Sequence, residues 1–441
     1  MTMLKQFLAA IVIALAGAVQ AAENSGGLSD YQREAGQIML KQVRRDIAEH
    51  HYDPAFKGVK LDAVVAEASA RIAQAQSNAE VFRAIAGVTR AFGDSHTYFV
   101  PPRWGFDFDY GWSAMASGKS CLIHRVKPGS DAAKKGLKVG DQLLAIDGAP
   151  VAADTLRAWM YLLNAIEPHR SLRLTLASPG EPARELEIAT KVTERERNLD
   201  LRRDFDVLMR QQGDRVERGR NRYEEFDGVF VWRLKRFMSD AEITEGLAKI
   251  RGYDRLVLDL RGNPGGAVGQ VLRVIAVLLG RDTKIGVERE RDRVKPVVAE
   301  LRREKPWTGK LMVLVDRFSG SGAEMVAAAV QQNGRGLLLG DRTAGAVQKG
   351  YAQTSKVGVD RMVFFGTVVA QSEFELLDGK KIEGVGVTPD FMMPLTGADL
   401  VARRDPVLAR ALKQLGVVRT PEQVAGVCWV FEKPADSGED D

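Results

Sequence analysis

Twice along this chain a short, almost wholly apolar strand runs into a glycine-rich turn and then into an apolar helix. The first copy is RLVLDLRGNPGGAVGQVLRVIAVLL, with Gly265 and Gly266 in its turn; the second is LMVLVDRFSGSGAEMVAAAV, with Ser321 in its turn. Short strands of this kind are buried on both faces, as in a parallel sheet, and strand–helix–strand units bring successive turns to one carboxyl edge. A serine at such a turn sits at the positive end of a helix, beside backbone N–H groups that receive an oxyanion. Ser321 is therefore the expected acyl-transfer nucleophile, with Gly266 and Gly322 as the expected oxyanion donors. Taken alone, Ser321 with Glu324 three places on also fits a capping box, which any helix start can carry. The upstream turn favours the nucleophile.

VLDLRGNPGG, VLVDRFSGSGAE and GDRTAGA together resemble the carboxy-terminal processing (tail-specific) serine protease family. The resemblance implies a multidomain α+β chain with a ClpP/crotonase-like α/β catalytic domain, and it aligns Ser321 with the nucleophile and Gly266 with the upstream oxyanion glycine. The processing proteases carry a Gly-Lys-Gly after the next strand, the lysine serving as base; here the place reads Thr343-Ala344-Gly345-Ala346-Val347, without a lysine. Ser95-His96, in AFGDSHTYFVPP, resembles the Ser-His pair of the tricorn-type branch of the superfamily, and the TAGA segment resembles that branch too. On that likeness His96 is the expected base, oriented by Ser95 and by Glu383 of IEGVGVTPD, with Glu373, Glu375 and Glu324 as rival acids. A plain turn at Asp94–Thr97, or a serine–lysine dyad using Lys349, remains the alternative.

The chain opens with MTMLKQFLAAIVIALAGAVQAAENSG, a basic start, an apolar core and small residues near Ala21, which reads as a secretory signal peptide (1–21) and a periplasmic or secreted location. The apolar part is short for a membrane span, so no stable membrane insertion is expected after cleavage. Residues 22–104 carry three helical stretches with turn residues between them, a small bundle whose first apolar stripe is Ile38, Leu40, Val43 and Ile47; His50 and His51 have no assigned role. Residues 105–193, around GLKVGDQLLAIDG, resemble a PDZ domain, which implies capture of a peptide by strand addition near Tyr110, Gly111 and Trp112, with the other wall a helix within 154–165. The stretch from Thr193 to Glu225 is charged and mixed in sign and reads as a connector, with one helical turn near 205–209. The catalytic domain is expected over 194–400, followed by a segment 401–441 that ends in an acidic tail.

Lysine and arginine number 63 against 58 acids, interleaved along the chain, so the net charge of +5 describes a solvated surface and sets nucleic-acid binding aside. Cys121 and Cys428 are the only cysteines, too few for a metal spacing; their pairing is open, and no metal or cofactor is expected. The sequence thus points to a serine endopeptidase acting on unfolded or C-terminally presented polypeptides, with room for an adaptor protein. The contrasting possibility is an inactive PDZ scaffold that binds peptides without cutting them.

Overall fold

The computed structural model describes residues 27–194, 221–302, 304–358 and 362–432. The expected signal peptide, the helical turn expected near 205–209 and the acidic tail lie outside these residues. The first described unit is three helices, α1 (Asp30–His50), α2 (Leu61–Gln74) and α3 (Asn78–Arg90). Ser29 and Gln32 close a capping box that starts α1. Its buried stripe is Met39, Leu40, Val43 and Ile47, whereas Ile38 is exposed. The apolar seam is therefore turned one position from the expected one, because Met39 falls on the face shared with 43 and 47. After α3 the chain enters β1 (Tyr98–Val100).

The second unit contains β2 (Phe106–Asp109), β3 (Trp112–Ser117), β4 (Ser120–Val126), α4 (Asp131–Lys134), β5 (Gln142–Ile146), β6 (Ala149–Pro150) and α5 (Leu156–Tyr161). It closes with β7 (Ser171–Ala177), β8 (Arg184–Ala189) and β9 (Lys191–Glu194). Its main sheet has the order β3-β4-β5-β7-β8, and β2 pairs with β9 where the chain enters and leaves.

The third unit runs β10 (Arg222–Phe226), β11 (Val229–Arg233), α6 (Asp240–Ile250), β12 (Arg255–Asp259), α7 (Val268–Leu279), β13 (Thr283–Arg289) and β14 (Val294–Ala299). It continues through β15 (Lys310–Val315), α8 (Gly322–Gln332), β16 (Leu337–Gly340), β17 (Lys349–Val357), β18 (Val363–Leu376) and β19 (Phe391–Met392). The central sheet has the order β10-β11-β12-β15-β16-β19 and is parallel from β11 to β19. Leu256, Leu258 and Val313 pack with residues of α6, α7 and α8, while Val257 and Leu314 pack on the other face with Leu408 and Leu412 of α10 (Pro406–Gln414), which follows α9 (Gly397–Ala402). Helices on both faces explain why the middles of these strands are unbroken apolar runs.

Two departures from the sequence reading bear on the site. RYEEF, expected as the end of a connector, is β10, fastened to β11 as an antiparallel hairpin with Tyr223 stacked on Phe230. MVFFGTVVAQSEFELLDG, expected as several antiparallel strands, contains the single fourteen-residue strand β18. β18 pairs with β17, β13 and β1, so a strand from the amino-terminal unit is built into the second sheet of the carboxyl-terminal one. Thr97 Oγ1 accepts from Ala370 N–H at 3.2 Å, and Tyr52 N–H donates to Ala370 O at 2.9 Å, fixing that junction.

Candidate active site

β12 and β15 are neighbours and parallel, so the turns that follow them lie side by side. Leu260 N–H donates to Leu314 O at 2.9 Å, and Gly320 N–H donates to Asn263 O at 2.9 Å. The approach is close enough to require glycine. A Cβ on Gly265, whose φ is +97°, would lie 2.6 Å from Ser321 Cβ and 2.7 Å from Gly322 N. Below the turns, Arg261 is fully buried and bonded to both Asp259 and Asp405, while Asp316 accepts from Gly262 N–H, Phe318 N–H and the Trp429 indole. Two buried carboxylate networks therefore hold the backbone on which the site stands.

Ser321 caps α8 with φ 51° and ψ −115°, a conformation that costs a side-chain-bearing residue roughly 1–3 kcal/mol. Among the described residues, neither Gly266 N–H nor Gly322 N–H donates to a protein group. Gly266 is pinned by Phe237, whose N–H donates to Gly265 O at 3.0 Å and whose carbonyl accepts Ala267 N–H at 2.7 Å. Two uncommitted donors thus flank a strained serine at a helix N-terminus, the arrangement an oxyanion requires.

His96 reaches the third unit through β1, which pairs with β18 opposite Gly366–Val368. Its ring lies on Gly350 of β17: a Cβ there would come within 3.2 Å of His96 Cδ2. His96 Nδ1 is 2.6 Å from Ser95 Oγ. Glu383 Oε1 accepts Ser95 N–H at 2.8 Å, and Oε2 accepts Val347 N–H at 2.9 Å. In the tautomer in which His96 Nδ1–H donates to Ser95 Oγ, Nε2 is free to take a proton. Burial, followed by the Arg157 guanidinium of α5, holds His96 down at about 4, with Asp94 opposing; burial pushes the Glu383 carboxyl up.

The structure brings Ser95, His96 and Glu383 into one chain of bonds, and sets the Gly265-Gly266 turn close against Ser321 and Gly322. Ser321 N–H donates to Ala346 O at 2.9 Å and the following peptide, Val347 N–H, binds Glu383, so a single peptide links the two groups. No hydrogen bond joins Ser321 to His96 directly. Of the rival acids, Glu373 is bonded to Tyr52 and Lys381, and Glu375 to Arg289. Lys349 is paired with Glu288 at 2.6 Å. The third rival, Glu324, lies inside the site: it accepts Ser321 N–H at 3.0 Å, Ala346 N–H at 2.8 Å, Gly345 N–H at 2.7 Å and the Thr343 hydroxyl at 2.6 Å. Its sequence signal was the capping-box spacing, which hides the other three bonds.

The second unit abuts both segments that enter the site. Asp154 accepts from Arg317 at 2.6 Å and from Arg342 at 2.8 Å, and Gly118 N–H donates to Asp341 at 2.6 Å. Tyr110 and Trp112 point into the core of that unit, and the Tyr110 hydroxyl donates to Leu163 O at 2.8 Å. Gly111 between them accepts Lys127 N–H at 2.8 Å. Cys121 and Cys428 are both buried and unpaired, and among the described residues no cluster of three or more His, Cys, Asp or Glu is placed to hold a metal.

Residues 228–393 match the model of peptidase family S41, and residues 122–178 match that of the PDZ domain. The chain carries an S41 peptidase domain and a PDZ domain. Ser321 and both glycine turns fall within the S41 domain, whereas His96 lies before the PDZ domain. A carboxyl-terminal-processing protease of Picosynechococcus sp. is 28% identical over 272 residues, 60% of this chain and 59% of that protein. The chloroplastic C-terminal processing peptidase of Tetradesmus obliquus is 26% identical over 289 residues, covering 63% of this chain and 57% of that one. The processing protease CtpA of Bacillus subtilis is 25% identical over 69% of this chain and 62% of its own length. This chain therefore spans about three-fifths of the length of the curated relatives it matches. In fold, mature CPAF superposes with a TM-score of 0.63 at 16% identity, over 84% of this chain and 94% of that one.

Proposed function

We propose that the protein is a serine endopeptidase that cleaves unfolded or C-terminally presented polypeptides through an acyl-enzyme. The observation that carries this reading is the strained Ser321 between the uncommitted Gly266 and Gly322 N–H groups. Ser321 Oγ attacks the scissile carbonyl, and its proton passes to His96 Nε2. The tetrahedral oxyanion is received by Gly266 and Gly322. His96 then gives the proton to the leaving amine, and a water deacylates Ser321 by the same path in reverse. Ser95 and Glu383 keep the imidazole in the tautomer that makes Nε2 the base. The S41 and PDZ matches and the processing proteases among its relatives support the substrate class.

Peptide capture is assigned to the PDZ module through strand addition at β3, the edge strand of its sheet. The buried Tyr110 and Trp112 shape that loop from within, so any contact there is through backbone. The amino-terminal signal reading and the processing-protease relatives support work outside the cytoplasm, on either soluble substrates or substrates delivered by an adaptor. The serine–lysine alternative is disfavoured by the ion pair that holds Lys349 to Glu288.

The test is to incubate purified protein and its Ser321→Ala variant with an unfolded polypeptide such as reduced, alkylated casein, and to follow fragments by mass spectrometry. Fragments that depend on Ser321 are expected. Tight binding without fragments across mildly acidic to mildly basic pH makes the protein a peptide-binding scaffold.

A further inference from the structure

The loop that stands where the processing proteases have their lysine is strung between two buried carboxylates. Successive N–H groups of Gly345, Ala346 and Val347 donate to Glu324 Oε1, Glu324 Oε2 and Glu383 Oε2. Glu324 Oε2 also takes Ser321 N–H, and Oε1 takes the Thr343 hydroxyl. A helix cap needs only the first of these; the other three bonds have nothing to do with starting α8. Glu324 is entirely buried, so its carboxylate is met by these four protein donors and not by bulk solvent.

We propose that Glu324 is a positioning residue, whose ionised carboxylate clamps residues 343–346 onto the Ser321 turn and so sets the nucleophile against the His96 group. The inference rests on the peptidase reading given above. The chemistry of the partners favours the ionised form, because three are N–H groups that can only donate and the Thr343 hydroxyl spends its proton on Oε1. A proton on Oε2 would point at two N–H groups. A proton on Oε1 would face Gly345 N–H or the Thr343 hydroxyl, which already accepts Val387 N–H at 2.6 Å and would have to surrender its own donor bond. Protonation of Oε2 therefore breaks a strand of the clamp, and protonation of Oε1 either breaks the Gly345 bond or reverses the Thr343 one.

The hydrogen bonds from the Ser321 turn and the 343–346 loop to Glu324 come from no ionisable side chain, and the other carboxylate on this loop, Glu383, is bound to the adjoining peptide. Burial thus dominates and pushes Glu324 up to about 7, against the pull of its four hydrogen bonds. His96, held at about 4, is already neutral throughout that range. An activity limb near neutrality belongs to Glu324, and one near 4 to His96.

The experiment follows amide NMR shifts of Ser321, Gly345 and Ala346, together with the rate of fluorophosphonate labelling of Ser321, from pH 5.5 to 8.5. The wild type is compared with Glu324→Gln, Thr343→Val and the conservative Thr343→Ser. In the wild type the three amides are expected to titrate together near pH 7, with the labelling rate falling at least tenfold along the same curve. Glu324→Gln should lose the titration and label slowly at every pH; Thr343→Ser should retain wild-type behaviour and Thr343→Val should not. Amides that do not titrate, or a labelling rate that ignores their titration, overturn the proposal. Should Ser321 not label at any pH, the peptidase reading fails and positioning for catalysis fails with it, while the amide titration still reports whether Glu324 clamps the loop.

Discussion

Ser95 N–H of the amino-terminal segment donates to the Glu383 carboxylate at 2.8 Å, across 288 positions of sequence and with the whole PDZ module between them. This bond, with the pairing of β1 to β18, carries the proposed base to the S41 domain. The reaction proposed here therefore depends on contacts that no single module contains.

Glu383→Gln is expected to lower the labelling and cleavage rates by about ten- to a thousandfold, because the amide fails to hold Ser95 and His96 in register. Glu383→Ala should in addition cost about 1–3 kcal/mol of stability, since it strips an acceptor from Ser95 and Val347. Steady-state kinetics beside thermal denaturation separates the two effects: the Gln variant should lose rate with little change in Tm.

Gly350→Ala tests the seat of the imidazole. The added methyl would lie 3.2 Å from His96 Cδ2 and 2.8 Å from Val368 Cγ1, so the ring or the strand must give way. Overpacking of this kind costs roughly 1–3 kcal/mol. A fall in kcat of at least about tenfold is expected, since small misplacement of a general base is costly. An unchanged kcat would mean that His96 is not the base.

The pH dependence of stability has a definite sign. His96 falls from 6.5 to about 4 on folding, so the unfolded chain binds its proton more tightly. The stability from its burial as a neutral ring is complete above about 6.5 and is lost as pH falls towards 4, by at most roughly 3 kcal/mol. Glu324 rises from 4.5 to about 7, so its contribution runs the other way, present at low pH and lost as pH rises towards 7. Between those limits the two oppose each other. Removing one exposes the other: the Tm of wild type minus that of His96→Ala should fall by several degrees between pH 7.5 and 4.5. A difference that stays flat or rises contradicts the buried neutral imidazole.

The central sheet was legible because Leu256–Leu258 of β12 and Leu311–Val315 of β15 are unbroken apolar runs, and only a sheet covered on both faces asks for that. The turns were legible because Gly265, Gly266, Ser321 and Gly322 combine close approach with a helix start. β1 and β10 were not. Each is short, and the partner that makes it a strand is supplied by tertiary pairing, with β18 and β11 respectively. Glu324 was hidden for a related reason: its local spacing explains one bond fully, and the three that reach residues 343–346 cross a strand and a helix. Trp112 was placed in the peptide-binding loop by the PDZ resemblance; that its side chain turns inward beside Tyr110 was not legible, because a large aromatic finds more apolar area in the core.

The most direct test of the account is the rate at which a fluorophosphonate labels Ser321, mapped by mass spectrometry, in the wild type and in the His96→Ala and Lys349→Ala variants at pH 8. The label should appear on Ser321, slow by about a hundredfold or more without His96, and stay within about threefold of wild type without Lys349. Full-rate labelling in His96→Ala together with its loss in Lys349→Ala would contradict the account.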